Sequence, residues 1–248
     1  MAQMMAPCLD AVVGAGVWQY VIIDNGSRDR SPQIIEEIKS RWKLTKGISL
    51  PRPDYGNALY HGLCHADGVF AWIVNIDFWD PLFLKWSWCY RESYDLIIGS
   101  KRADPFLNQQ PRYRRILSWG LNSILHVLFG FFGTDTHGQK LLNRRTMEPI
   151  WDKCVMRRGQ FDTEFTIKAQ RSGMRMAEVP VPITETRKQR NLMIAKIYRN
   201  LVDISRLRRE IRKVPLSHSI HYHMWSRKDM EDLSNPLDGK LPGTTGVC

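Results

Sequence analysis

Residues 21–32, VIIDNGSRDRSP, hold the reading that decides the fold. Three β-branched residues run straight into Asp24, Asn25, Gly26 and Ser27, and a helix-period stretch begins at Ser31. β-Branched residues suit a pleated, packed strand. Asp, Asn, Gly and Ser favour turns for local hydrogen-bonding and backbone reasons. The segment therefore reads as strand, sharp turn and helix. In an open parallel sheet, ligands bind beyond the carboxyl ends of the strands. A carboxylate at Asp24 is placed to accept hydrogen bonds from a ribose or a base, and Gly26 lets the chain turn closely beside it. A plain turn leading into a helix cap is the alternative reading of the same four residues.

Working outward, strand-length apolar runs fall near 19–24, 46–50, 69–76, 94–99, 138–142 and 175–183. Helix-period segments fall near 2–13, 31–43, 81–91, 113–131, 162–172 and 191–213. Such alternation predicts an α/β fold, a mainly parallel sheet flanked by helices. The stretch RPDYGNALYHGLCHADGVFAWIVNID, residues 52–77, adds a glycine-bearing turn and a short helix before a strand ending at Asn75 and Asp77. Two strand ends bearing Asp suit a metal–diphosphate site. A hard cation such as Mg²⁺ or Mn²⁺ takes oxygen ligands and bridges phosphates with only one or two carboxylates.

The bulk numbers agree with one sizeable domain. The chain has 248 residues, 43% apolar and 10% aromatic, which supports a packed core and excludes global disorder. The net charge of +11 is concentrated: Arg187–Lys213 holds ten Lys or Arg against two acids. In that segment Ile194, Ile197, Leu201, Ile204, Leu207 and Ile211 recur at spacings of three and four, one helical stripe with basic flanks. A basic amphipathic helix suits an anionic membrane surface. It equally suits a helix packed on the sheet with a solvated basic face. Nucleic acid is not expected as a partner, since no nucleic-acid-reading motif accompanies the charge. Five scattered cysteines form neither a disulfide framework nor a zinc site, and a reducing, cytoplasmic setting follows.

Residues 116–134 carry no formal charge, but Ser118, Asn122, Ser123 and His126 interrupt them, so they read as a core or interfacial helix. Residues 215–248 are rich in turn formers and read as a weakly ordered tail. Its His218, His221 and His223 read as solvated rather than metal-binding. The expected organisation is a main domain over 1–186, a basic amphipathic helix over 187–214, and the tail. A helix at the very start means that the fold opens one element later than an α/β nucleotide fold normally does.

Seven short motifs follow one another in order: DNGSRD, YGNAL..G, NIDFWDP, GSKR, TDTHGQKLLNRR, FDTEF and GMRMAEVPV. Over about residues 1–213 this order resembles glycosyltransferase family 2, and within it the dolichyl- or polyprenyl-phosphate sugar transferases. The resemblance implies a GT-A (Rossmann-like) fold and an inverting transfer from a nucleotide-diphosphate sugar of the GDP-mannose or UDP-glucose type. It also implies a divalent metal (Mg²⁺ or Mn²⁺), a polyprenyl- or dolichyl-phosphate acceptor, and a peripheral position on the cytoplasmic membrane face.

Position by position, the resemblance assigns Asp24, Asn25, Gly26, Tyr55, Gly56, Asn75 and Asp77 to the nucleotide sugar. It assigns Asp77, Asp135 and Arg102 to catalysis, and Lys101, Arg114 and Arg115 to the acceptor phosphate. The metal falls to Asp77 and Asp80. Glu164 in FDTEF either steadies a neighbouring loop or touches substrate. Two departures stand out. Asn75 replaces the first carboxylate of the family's Asp-x-Asp motif, and the family's first strand is missing. They keep open a second reading, a non-catalytic membrane- or partner-binding remnant of the fold.

Overall fold

The computed structural model describes residues 2–76, 78–104, 112–157, 159–182, 193–217 and 219–232. Helix α1 (Ala2–Val12) precedes β1 (Tyr20–Asp24), followed by α2 (Ser31–Arg41), β2 (Thr45–Ser49), α3 (Tyr55–His65) and β3 (Phe70–Ile73). Then come α4 (Pro81–Cys89), β4 (Leu96–Ser100), α5 (Arg112–Phe129), β5 (Lys140–Asn143) and α6 (Arg144–Trp151). The rest is α7 (Phe161–Arg171), β6 (Met176–Pro180), α8 (Met193–Arg212), β7 (Tyr222–Met224) and α9 (Arg227–Asp232).

Local chemistry sets the helix starts. Asp54 caps α3 by accepting from Asn57 N, and Asp80 caps α4 by accepting from Leu82 N, with Pro81 at its first position. Asn143 caps α6 through Arg145 N and Thr146 N.

β1 and β2 pair in parallel, and a second sheet has the order β3-β5-β4-β6-β7. Within it β4, β6 and β7 are parallel, while β5 runs antiparallel to both β3 and β4. The fold is thus the α/β, parallel-rich architecture read from the sequence, with one reversed strand. The reversal matters for the site. It brings the start of β5 to the end of the sheet where β3 and β4 finish, with Lys140 opposite both Ile73 and Ile98.

Period-two alternation sorts the sheet's side chains onto two faces. Leu96, Ile98, Leu142 and Met176 pack against Leu63, Met147, Trp151, Phe161 and Phe165 of α3, α6 and α7. Ile97, Leu141, Ala177 and Val179 pack on the other face against Phe83 and Trp86 of α4. The strands β4 and β6 are wholly buried, whereas every residue of β3 and all but Asp24 of β1 are only partly so.

Residues 219–232 correct the reading of a weakly ordered tail from 215. Tyr222–Met224 adds a parallel edge strand to β6, and Trp225 is 4% exposed among Trp86 and Tyr90. Burying one large apolar side chain contributes about 1.5–3 kcal/mol, enough to fix so short a strand. Residues 233–248 lie outside the described residues. His223 stacks on Trp225, and among the described residues no three His, Cys, Asp or Glu form a metal-holding group.

The amphipathic helix packs chiefly against α5 and α7. Leu207 and Ile211 are buried with Leu125 and Phe129 of α5, and Ile204 packs against the same cluster. Arg206, Arg208, Arg209, Arg212 and Lys213 are exposed. Ser205 and four of those residues, Arg208, Arg209, Arg212 and Lys213, line a recess of ≈ 430 Å³. Among the described residues no helix is long and apolar enough to cross a membrane.

Candidate active site

The turn after β1 carries the turn chemistry read in DNGS. Asp24 is buried at 6% exposure, and its Oδ1 accepts from Ser27 N at 3.1 Å, so one oxygen shapes the turn. Gly26 has φ +74°, and a Cβ there would sit 3.1 Å from both the Arg52 carbonyl carbon and Pro53 N. Backbone conformation and close approach both require glycine. Asn25 Oδ1 accepts from Asp54 N at 2.7 Å, which ties this turn to the start of α3, where Tyr55 and Gly56 lie. A Cβ on Gly56 would overlap the carbonyl of Arg157, so the helix start sits flush against the 157 loop.

Tyr55 links that turn to the next strand end. Its hydroxyl lies 3.1 Å from Asp162 Oδ2, to which it donates, and 3.4 Å from Asn75 Oδ1. Burial, and then the charge of Asp162, push the phenol well above its ordinary value, so Tyr55 stays a donor. Asp162 Oδ1 in turn accepts from Lys140 Nζ at 2.9 Å, with both side chains fully buried. Lys140 also donates to Gly138 O at 2.9 Å. Asp162 and Lys140 were not among the sequence candidates. The signal was available, since Lys and Asp are almost never fully buried unless paired, and KLL reads as a core strand.

Asp135 anchors the other side. It is 1% exposed, its Oδ1 accepts from His137 N at 3.0 Å, and its Oδ2 has no hydrogen-bond partner among the described residues, with Lys101 Nζ 4.0 Å away. Burial alone would raise its pKa. Lys101, Arg102 and the His137 N–H outweigh burial and hold it below the usual carboxylate range. His137 is only partly buried, yet desolvation of its ring holds it below its ordinary value, against the pull of Asp162 and Asp135. Arg102 donates from Nη1 to Thr134 O at 2.9 Å, and its backbone N–H donates to Ser100 Oγ at 3.1 Å. Arg102 Nε is buried without a partner among the described residues. An unmatched buried donor and acceptor typically cost about 1–3 kcal/mol each, a deficit that a polar ligand relieves.

Hydrogen bonds tie Asn25 to Asp54 and Tyr55 to Asn75, which with Asp24, Gly26 and Gly56 in the same two turns form a first cluster, while Lys101, Arg102 and Asp135 form a second. The charge of Asp162 acts on Tyr55 in the first and on His137 in the second. Asp77 lies outside the described residues. So do the side chains of Arg114 and Arg115, although their backbone forms the first turn of α5. Asp80 has a structural duty: its Oδ1 accepts from Leu82 N at 3.0 Å as the α4 cap. The donors around 75–80 are oxygens, the chemistry that Mg²⁺ or Mn²⁺ accepts, and a cation also held by a diphosphate needs few protein carboxylates. Glu164 steadies a loop, accepting from Val155 N and Met156 N at 2.9 and 2.7 Å and pairing with Lys168.

Comparison with known proteins places the fold. The family model for glycosyl transferase family 2 matches residues 2–81. The uncharacterized protein MJ1222 of Methanocaldococcus jannaschii is 33% identical over 197 residues, 72% of this chain and 75% of the relative. The dolichyl-phosphate beta-glucosyltransferase ALG5A of Trichomonas vaginalis is 25% identical over 180 residues, 68% of this chain. The match spans 54% of that relative, about half its length. Among solved structures, glucosyl-3-phosphoglycerate synthase from Mycobacterium tuberculosis superposes with a TM-score of 0.53 at 17% identity, over 86% of this chain and 75% of that one. That likeness carries the fold, which is GT-A-like.

Proposed function

The chain belongs to glycosyltransferase family 2, and from that premise we propose that it moves a sugar from a nucleotide-diphosphate donor to a polyprenyl or dolichyl phosphate. The observation that carries the proposal is that the two polar clusters meet around Asp162, which accepts from the Tyr55 hydroxyl and whose charge acts on His137. One cluster presents Asp24 and the turn at Gly26, suited to a nucleoside. The other presents Lys101, Arg102 and Asp135, suited to an anionic acceptor. The names of two relatives, dolichyl-phosphate beta-glucosyltransferases of Trichomonas vaginalis at 25% and 24% identity, support glucose and dolichyl phosphate as the first pair to test.

In this reading an acceptor phosphate oxygen attacks the sugar C1 as the C1–O bond to the diphosphate breaks, and the nucleoside diphosphate leaves with the electron pair. The acceptor is already anionic, so little general base is needed. Lys101 and Arg102 hold it, arginine being suited to bidentate phosphate contact. Asp135, kept ionised, sets the orientation of the Lys101 ammonium. Asp24 binds the nucleoside, and Tyr55 steadies the turn that bears Asn75. A divalent cation held by Asp77 would offset charge on the departing diphosphate. The exposed Arg206, Arg208, Arg209, Arg212 and Lys213 of α8 suit anionic headgroups of the membrane holding the acceptor.

The test is incubation with UDP-[¹⁴C]glucose or GDP-[¹⁴C]mannose, dolichyl phosphate and Mn²⁺. Label should enter the organic phase with one of the donors and fail to do so with Asp135→Ala. Absence of labelled lipid with either donor would favour the second reading, a non-catalytic remnant. The half-buried β1 and β3, in separate sheets, are the observation on its side.

A further inference from the structure

Thr134 stands between the acceptor-side residues. It precedes Asp135 in the chain, and its carbonyl accepts from Arg102 Nη1. Thr134 is itself held by Glu178 on β6. The Glu178 carboxylate accepts from Thr134 N at 2.9 and 3.2 Å, from Thr134 Oγ1, and from the Tyr222 hydroxyl at 2.7 Å. Thr134 Oγ1 also meets Ser100 Oγ at 2.7 Å, and Ser100 Oγ accepts from the backbone of Arg102 and Ala103. The turn is packed tight at this point, since a Cβ on Gly133 would collide with both Tyr222 Oη and Glu178 Oε2.

Glu178 is fully buried, and the groups that bond its carboxylate are neutral donors from three elements. A carboxylate buried without a bonded cation is costly, and hydrophobic residues of similar volume would serve stability at least as well. Burial pushes its pKa up, and the Thr134, Tyr222 and Ser100 donors work against that rise. The arrangement fixes one geometry of the 133–135 turn, where Asp135 and Arg102 need it.

We propose that Tyr222 and Glu178 brace the Thr134–Asp135 turn and are positioning residues for Arg102 and Asp135, so that the edge strand β7 is part of the acceptor site. The catalytic consequence rests on the glycosyl-transfer reading, whereas the brace itself does not. The Tyr222 ring packs edge-on against Phe131, with centroids 6.2 Å apart, a contact that phenylalanine keeps. Tyr222→Phe therefore removes one donor and little else.

The experiment compares wild type and Tyr222→Phe in the full chain by hydrogen–deuterium exchange, UDP-glucose calorimetry and transfer kinetics with dolichyl phosphate. Amides of 131–136 should exchange faster in Y222F. Its kcat should fall about ten-fold or more, the order of loss that slight mispositioning of reacting groups produces, with UDP-glucose affinity unchanged. Thr134→Val should behave like Y222F, and Thr134→Ser, which keeps the hydroxyl, should recover most of the loss. Should Y222F fail to fold, the contrast between T134V and T134S decides the matter alone. A folded Y222F with wild-type exchange across 131–136 overturns the brace, and a parallel loss of kcat and UDP-glucose affinity overturns the assignment of the braced turn to the acceptor side. If the wild type transfers no sugar, the glycosyl-transfer reading falls. Faster exchange in Y222F would then still support the brace, and equal exchange would still overturn it.

Discussion

Replacing Asp162 by Asn should be among the most destabilising single changes in the chain. Asp162 and Lys140 form an ion pair of 2.9 Å with side chains 2% and 1% exposed. The substitution preserves shape but leaves the Lys140 ammonium buried with, among the described residues, the Gly138 carbonyl at 2.9 Å as its remaining hydrogen-bond partner. Breaking a buried pair from one side costs about 3–5 kcal/mol, because a charge is left without its counterion. Total stabilities of about 5–15 kcal/mol make this a large fraction. At about 2–4 °C per kcal/mol for a domain of this size, the midpoint should drop by roughly 6–20 °C. The double variant Lys140→Met, Asp162→Leu removes both charges and should recover most of the loss. Urea unfolding followed by circular dichroism measures all three proteins. An Asp162→Asn protein within about 1 kcal/mol of wild type, or a double variant no better than the single one, would refute the assignment of this pair as the buried link beneath the site.

At the proposed metal site, Asp77→Ala should abolish Mn²⁺-dependent UDP-glucose binding and Asn75→Asp should tighten it, both read by calorimetry. Equal or poorer affinity in Asn75→Asp would place residue 75 away from the cation. Asp135 has its pKa lowered by folding, so it stabilises the protein above the unfolded carboxylate value of about 3.9 and loses that contribution as pH falls through the folded value. Wild type should therefore exceed Asp135→Asn in urea midpoint at pH 7, with the gap closing in acid. A gap that widens in acid reverses the sign and removes the ionised role. Reversing Arg206, Arg208 and Arg209 to Glu should release the protein from vesicles rich in phosphatidylserine. Wild-type binding should fall steeply with salt, since surface attraction fades within about 8 Å at physiological ionic strength. Salt-independent flotation would place the contact on an apolar face instead.

What the sequence disclosed follows from what periodicity and turn chemistry encode. VIID and FAWIVNID announce strands with polar ends; β1 ends at Asp24 as read, whereas β3 ends at Ile73, short of Asn75 and Asp77. Alternation does not encode direction, so the reversal of β5, which carries Asp135 to the site, was not legible in KLLN. Nor was β7, three residues of mixed polarity whose place depends on Trp225 and on the Tyr222–Glu178 contact 44 positions away. Asp162 and Lys140 lie 22 residues apart and meet only when α7 packs on the sheet, so KLL puts Lys140 in a core strand without naming its partner. The stripe on α8 was readable as amphipathic. That Leu207 and Ile211 face α5 rather than a membrane is a matter of tertiary packing.

The configuration of the glycolipid product bears most directly on the central claim, that one acceptor phosphate is held by Lys101 and Arg102 opposite a donor held near Asp24. A single displacement at that site inverts the anomeric carbon. Proton NMR of lipid made from UDP-α-D-glucose and dolichyl phosphate should therefore show the β-anomer, with Lys101→Ala and Arg102→Ala each slowing its formation. An α-linked product, or β-linked product formed at undiminished rate by both variants, would contradict it.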